Sequence, residues 1–152
     1  MRMAIAEARR AAEEGEVPTG CVIINRAGTP LVPASAVIGR AHNQVERLKD
    51  PTAHAEMIAI TQAASARGDW RLSDTVLYST KEPCPMCAGA IVLARIPEVV
   101  FGAADTRRGG AVSVLRILDD PRLNHRAAVR GGVLADECAA LLTEFFRRAR
   151  QE

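Results

Sequence analysis

The chain has 152 residues, of which 48% are hydrophobic and 25% charged, and its formal net charge is +2. That balance suits one soluble globular domain over residues 1–152, long enough to bury a core. The charge is too small to announce nucleic-acid binding by itself, and no apolar run approaches membrane-spanning length.

Met1 to Glu14 reads as an amphipathic helix, with Met3, Ile5, Ala8, Ala11 and Ala12 on its apolar side and Gly15 at its end. It holds arginines and glutamates but no apolar h-region, so neither a signal peptide nor a transit peptide is expected. Cys21 to Ile24 reads as a buried strand. Gly28, Pro30 and Pro33 mark residues 25–33 as a loop or hairpin. A second strand starts at Val37-Ile38 and runs toward Ala41-His42-Asn43. Asp50-Pro51-Thr52 signals a helix start, with an acidic cap and Pro at the first helical position, so His54 and Glu56 fall in the first turn of a helix reaching about Arg67.

Thr75 to Thr80 is a strand leading to Pro83-Cys84-Pro85-Met86-Cys87. Pro85 suits a first helical turn, which places Cys84 at or near the N-cap of a helix reaching about Arg95. Glu98 to Gly102 is another short strand, and strand–helix–strand with short links implies that 75–80 and 98–102 run parallel. Val112 to Leu118 reads as a short helix ended by Asp120-Pro121. Gly131-Gly132 precedes a last helix from Asp136 to about Arg150. The expected fold class is α/β: a three-layer α/β/α sandwich around a mixed sheet of about five strands.

Two motifs carry chemistry. Two thiols three apart at a helix start share a face and can reach one ion, and the helix dipole favours thiolate there. Alone, Cys84-x-x-Cys87 is equally a redox pair or half of a structural zinc site. Alone, His54-Ala55-Glu56 is a packed or solvated helical turn. Together, His54, Cys84 and Cys87 supply three ligands for Zn²⁺ and leave a fourth position for water, with Glu56 as a proton carrier beside it. Residues two apart on a helix point in nearly opposite directions, so His54 and Glu56 can share a site only if the ion lies off the helix end. Cys21 and Cys138 read as small buried thiols, and a reducing cytoplasm follows as the default.

The H-A-E and P-C-x-x-C motifs form the zinc deaminase signature. With Gly15 to Pro18, Ala41-His42-Asn43, Asp50 to Glu56, Trp70-Arg71-Leu72, Glu82 to Ala90, Phe101 to Asp105, Leu123-Asn124-His125-Arg126, Gly132 to Leu134 and Phe145 to Arg147, the chain resembles the bacterial tRNA adenosine deaminases over nearly its whole length. The resemblance implies a cytidine deaminase-like fold, one Zn²⁺ per subunit, no organic cofactor, a homodimer, and hydrolytic conversion of adenosine to inosine at the wobble position of a tRNA anticodon loop. It also implies that Asn43 holds the target nucleoside, that Asp105 and the last helix lie toward the anticodon loop, and that Asn124 and His125 contribute to the site. Two features depart from the family pattern: residues 26–36 form a longer segment than the usual tight hairpin, and Cys21 stands where a small aliphatic residue is usual.

Charge agrees with an RNA partner at the C-terminal side. Residues 1–104 carry 11 basic and 11 acidic residues, whereas 105–152 carry nine arginines against seven acidic residues. Arg107 and Arg108, followed by Gly109-Gly110, are the foremost phosphate-binding candidates, since glycines let backbone approach an RNA strand. The motif fixes chemistry rather than substrate. A deaminase of free guanine or cytosine would use the same zinc site, and a zinc-stapled RNA-binding module would use it without needing Glu56.

Overall fold

The structure is a computed structural model, described for residues 1–28 and 33–151. Helix α1 (Arg2–Glu13) buries Ala4, Ile5, Ala8 and Ala11 along one stripe, and Gly15, at φ 78°, turns the chain into β1 (Gly20–Asn25). Strand β2 (Val37–His42) pairs with β1 antiparallel, then a four-residue helix, α2 (Val45–Leu48), leads toward α3 (Ala55–Arg67). Strand β3 (Thr75–Lys81), helix α4 (Pro85–Leu93) and strand β4 (Glu98–Ala103) form the expected parallel crossover. A single 3-10 turn (Ile117–Asp119), strand β5 (Ala128–Arg130) and helix α5 (Ala135–Ala149) follow.

The sheet order is β2-β1-β3-β4-β5, with β1 antiparallel to both neighbours and β3, β4 and β5 parallel. Helix α3 packs on β2 and β1 and touches α4 on one face, while α1 and α5 cover β1 and β4 on the other. The expected three-layer sandwich and mixed sheet are thus present. Covered on both faces, β1 and β3 read as almost continuously buried runs rather than alternating ones. The main core lies between the sheet and α3–α4, around Ile23, Leu77, Ile91, Val99 and Phe101.

Two local readings are corrected, and two short elements go beyond them. Asp50 does not cap α3: its Oδ1 accepts the Thr52 N–H (2.8 Å) and hydroxyl (2.7 Å), closing a turn, and the helix begins at Ala55 with His54 as its N-cap. The helix expected over Val112 to Leu118 is only the turn Ile117–Asp119, because the Val112 and Ser113 N–H groups donate to the Glu82 carboxylate (2.7 and 2.9 Å). Strand β5 and helix α2 escaped the pattern reading; both are too short to show a period. Within the predicted 25–33 loop, residues 29–32, with Pro30, lie outside the described residues.

Candidate active site

His54 and Cys84 occupy equivalent places, each the N-cap of a helix that starts beside the C-terminal end of the sheet. Both have extended backbone (φ −75°, ψ 152° and φ −70°, ψ 171°), and neither side chain caps its own helix. The two side chains face each other instead. His54 Nδ1 lies 3.5 Å from Cys84 Sγ and 3.4 Å from Cys87 Sγ, and the three ligand atoms lie within 4.8 Å of one another. A tetrahedral centre with Zn–S of about 2.3 Å and Zn–N of about 2.0 Å has an N···S edge of about 3.5 Å, so the cluster fits zinc. Extended backbone at His54 sends its ring off the helix end, which is how His54 and Glu56, two apart, reach one site.

Glu56, 3% exposed, accepts the Ser79 hydroxyl at Oε1 (3.1 Å) and has Oε2 3.7 Å from Cys87 Sγ. Burial pushes its carboxyl above the ordinary range. The Cys84 thiol is pulled down to about 4, first by its hydrogen bond with Cys87 and, against burial, by that with His54. The same contact with Cys84, together with burial, pushes Cys87 up. Contact with Cys84 raises His54 against the opposing effect of burial. A thiol so lowered beside the imidazole belongs to the donor set that a soft divalent metal takes.

The cluster opens onto a cavity of about 620 Å³. Asn43, Asp105, Arg107 and Arg108 line it together with His54, Glu56 and Cys84. Asn43 is 6% exposed, and its Nδ2 donates to Glu16 Oε2 (3.2 Å). Asp105 accepts the Arg107 and Arg108 N–H groups at Oδ1 (3.1 and 3.0 Å) and has the Lys81 ammonium 2.7 Å from Oδ2. Asn124 and His125 lie elsewhere. Asn124 Oδ1 accepts from Arg95 (3.3 Å), and His125 Nε2 meets the Ile96 carbonyl (2.8 Å), a contact that ties the chain before β5 to the end of α4.

Glu16, Lys81 and Glu82 are among the cavity residues given no role on sequence grounds. Glu16 and Glu82 are 1% and 2% exposed, and each gathers N–H groups from a segment distant in sequence, α2 for Glu16 and the stretch from Asp105 to Ser113 for Glu82. A lone acidic residue outside any periodic pattern looks solvated; only burial marks these as anchors. Gly109 and Gly110 also have a different reason than closeness to RNA. A Cβ at Gly109 would overlap the Glu82 carboxylate, and one at Gly110 would lie 2.8 Å from the Cys84 carbonyl carbon.

A mixed sheet of this order, with an imidazole and two thiols brought together from two helix starts and a buried carboxylate alongside, defines a zinc-dependent hydrolytic deaminase. Residues 1–103 match the family described as the cytidine and deoxycytidylate deaminase zinc-binding region. A tRNA-specific adenosine deaminase of Bacillus subtilis (strain 168) is 47% identical, over 100% of this chain and 89% of that protein. A solved structure from a study of A-to-I editing by tRNA:A34 deaminases at the wobble position of transfer RNA superposes with a TM-score of 0.85 at 39% identity, over 93% of this chain and 97% of the other. The guanine deaminase of Bacillus subtilis superposes with a TM-score of 0.61 at 29% identity, over 99% and 91%. The chain belongs to the family of tRNA-specific adenosine deaminases.

Proposed function

We propose that residues 1–152 act as one zinc-dependent deaminase domain that hydrolyses adenosine to inosine, releasing ammonia, at the wobble position of a tRNA anticodon loop. The observation that carries the reading is Glu56, buried and raised beside the His54–Cys84–Cys87 cluster, in a chain of this family. When bound, zinc supplies a Lewis acid that acidifies the attacking water. Glu56 takes one proton of that water and passes it to adenine N1; it then takes the second proton, from the hydroxyl added at C6, and gives it to the departing amino group, so that C6 becomes the inosine carbonyl and ammonia leaves. Burial suits it to the task, because a carboxyl whose proton affinity is raised accepts a proton more readily than an ordinary one and can still return it. A purely structural metal site has no use for such a group.

Asn43 holds the nucleoside from the opposite wall, and Arg107 and Arg108 at the mouth receive the phosphates of the loop. An unpaired loop lets the base leave its stack at little cost. Asp105 fixes the strap that carries both arginines.

A second copy of the chain is the proposed partner of α4. That helix is apolar on all sides, its Leu93 is 69% exposed, and Met86, Leu93, Ile117 and Leu123 line a groove beside it. A reducing cytoplasm agrees with four free cysteines, and no helix among the described residues is long and apolar enough to cross a membrane.

Incubating the zinc-loaded protein with total tRNA and sequencing for A-to-inosine changes tests the function. Conversion confined to wobble adenosines is the expected result. Ammonia released from free guanine or cytosine, with unedited tRNA, would move the protein to the free-base deaminases.

A further inference from the structure

Glu16 follows the glycine that ends α1 and belongs to the cavity wall, where it is 1% exposed. Its carboxylate collects three N–H donors: Arg47 N at Oε1 (2.7 Å), and Glu46 N (3.1 Å) and Asn43 Nδ2 (3.2 Å) at Oε2. The two main-chain groups belong to the first turn of α2, where helical N–H groups have no partner in their own helix. Glu16 serves as their acceptor and is itself held in place by them. Asn43 is fixed from the other side, because its own N–H donates to the Thr19 carbonyl (3.0 Å).

Asn43 is the one side chain in this arrangement with a choice. An amide can present either its oxygen or its nitrogen, and rotation about its last torsion is broad and roughly two-fold. A carboxylate already receiving two N–H groups can only accept. Asn43 must therefore turn Nδ2 toward Glu16, and the flipped arrangement would set two oxygens against each other. Nothing among the described residues donates to Asn43 Oδ1, and Asn43 lines the cavity.

We infer that Glu16 is a positioning residue for the reaction: it locks the Asn43 amide so that Oδ1 is offered to an N–H or O–H donor of the bound nucleoside. The inference rests on the reading of Asn43 as the residue that holds the nucleoside. Glu16 touches no substrate atom; it decides which Asn43 atom does.

The test uses single-turnover deamination of an anticodon stem-loop by zinc-loaded Asn43→Ala, Glu16→Gln, Asn43→Asp and the double variant Glu16→Gln/Asn43→Asp. In Glu16→Gln the amide that keeps its oxygen on Arg47 N turns its nitrogen toward Asn43 and reverses the asparagine; it also leaves the Glu46 N–H without its acceptor, a defect that the double variant shares. The rate should fall about tenfold, the equivalent of one misdirected hydrogen bond. RNA affinity, spread over phosphate contacts, should stay within about twofold. Asn43→Asp sets two carboxylates face to face and should fall further. In the double variant the glutamine amide donates to the new carboxylate, whose other oxygen restores an acceptor facing the cavity. Its rate should exceed that of Asn43→Asp by about tenfold.

A merely structural role for Glu16 predicts the opposite: two defects that add, with the double variant the slowest. That result, or a Glu16→Gln enzyme at full rate beside a slow Asn43→Ala, overturns the orienting role alone. A full rate in Asn43→Ala would remove Asn43 from the nucleoside site, and the orienting role with it.

Discussion

Glu82 Oε1 accepts the Ser113 N–H at 2.9 Å, and Glu82 Oε2 accepts the Ser113 hydroxyl, so one buried carboxylate holds a residue 31 positions away by two groups. The same carboxylate takes the N–H groups of Val112 (2.7 Å) and Asp105 (3.0 Å). Two residues before Cys84, it pins the strap from Asp105 to Ser113, which bears Arg107 and Arg108, against the start of α4. Burial opposes ionisation, but the hydrogen bonds from Ser113, Val112 and Asp105 outweigh it and hold the carboxyl below the ordinary range.

Replacing Glu82 by Ala should leave the N–H groups of Asp105, Val112 and Ser113 without their acceptor, the first of them in a buried bond. The expected loss is roughly 3 kcal/mol, about 6–12 °C in the melting midpoint for a chain of this size. Because the strap carries the arginines, RNA affinity should fall as well. Thermal unfolding and binding assays on the zinc-loaded variant check both. An unchanged midpoint would show that water replaces the carboxylate at no cost.

Replacing Glu56, the proposed proton carrier, and replacing Cys87, a proposed ligand, should differ in kind. Glu56→Ala should fold, keep its zinc and lose about 10²–10⁴ in turnover, the range of general acid–base catalysis. Cys87→Ala should lose zinc and stability together, since metal binding contributes folding energy. Metal content and melting of the two purified variants decide the matter. Near-full turnover in Glu56→Ala would end the proposed mechanism.

Arg107 and Arg108 lie at the exposed mouth, and neither touches the His54–Cys84–Cys87 cluster. Replacing both by Ala should lower the log–log salt slope of RNA binding by about 0.7 per lost phosphate contact on a single strand. Stability should change by no more than about 0.5 kcal/mol, as for surface positions generally. An unchanged slope would place the RNA path elsewhere.

The buried pair Glu7 and His42 ties α1 to β2, with Glu7 Oε2 3.1 Å from His42 Nδ1 and Glu7 Oε1 accepting from Arg40 Nε at 2.5 Å. Burial alone would raise the Glu7 carboxyl, but the Arg40 and His42 hydrogen bonds overcome it and bring the net value below the ordinary 4.5. A carboxyl lowered on folding contributes stability that is complete above its unfolded pKa and lost as pH falls through the folded one. The wild-type protein should therefore be more stable than Glu7→Gln above the ordinary 4.5, and the gap should narrow as pH falls below it. Melting midpoints of both proteins from pH 3 to 8 measure it; a constant gap would assign the effect to packing.

Much of the site was legible in one dimension. The spacing of Cys84 and Cys87, the proline between them and the H-A-E triplet are local patterns, and such patterns indicated the start of α4 and the grouping of His54, Cys84 and Cys87. The crossover between β3 and β4 was legible for the same reason, since a short strand–helix–strand run has one permitted hand. Tertiary structure alone decided the rest. It made Asp50 a turn rather than a cap, because His54 had to leave the helix to face two thiols 30 and 33 positions away. It denied Val112 to Leu118 a helix by giving its N–H groups to Glu82. It drew Asn43 into the cavity and left Asn124 and His125 outside it. A carboxylate becomes an anchor only when burial removes the water that would otherwise satisfy it, and burial is a property of the assembled chain.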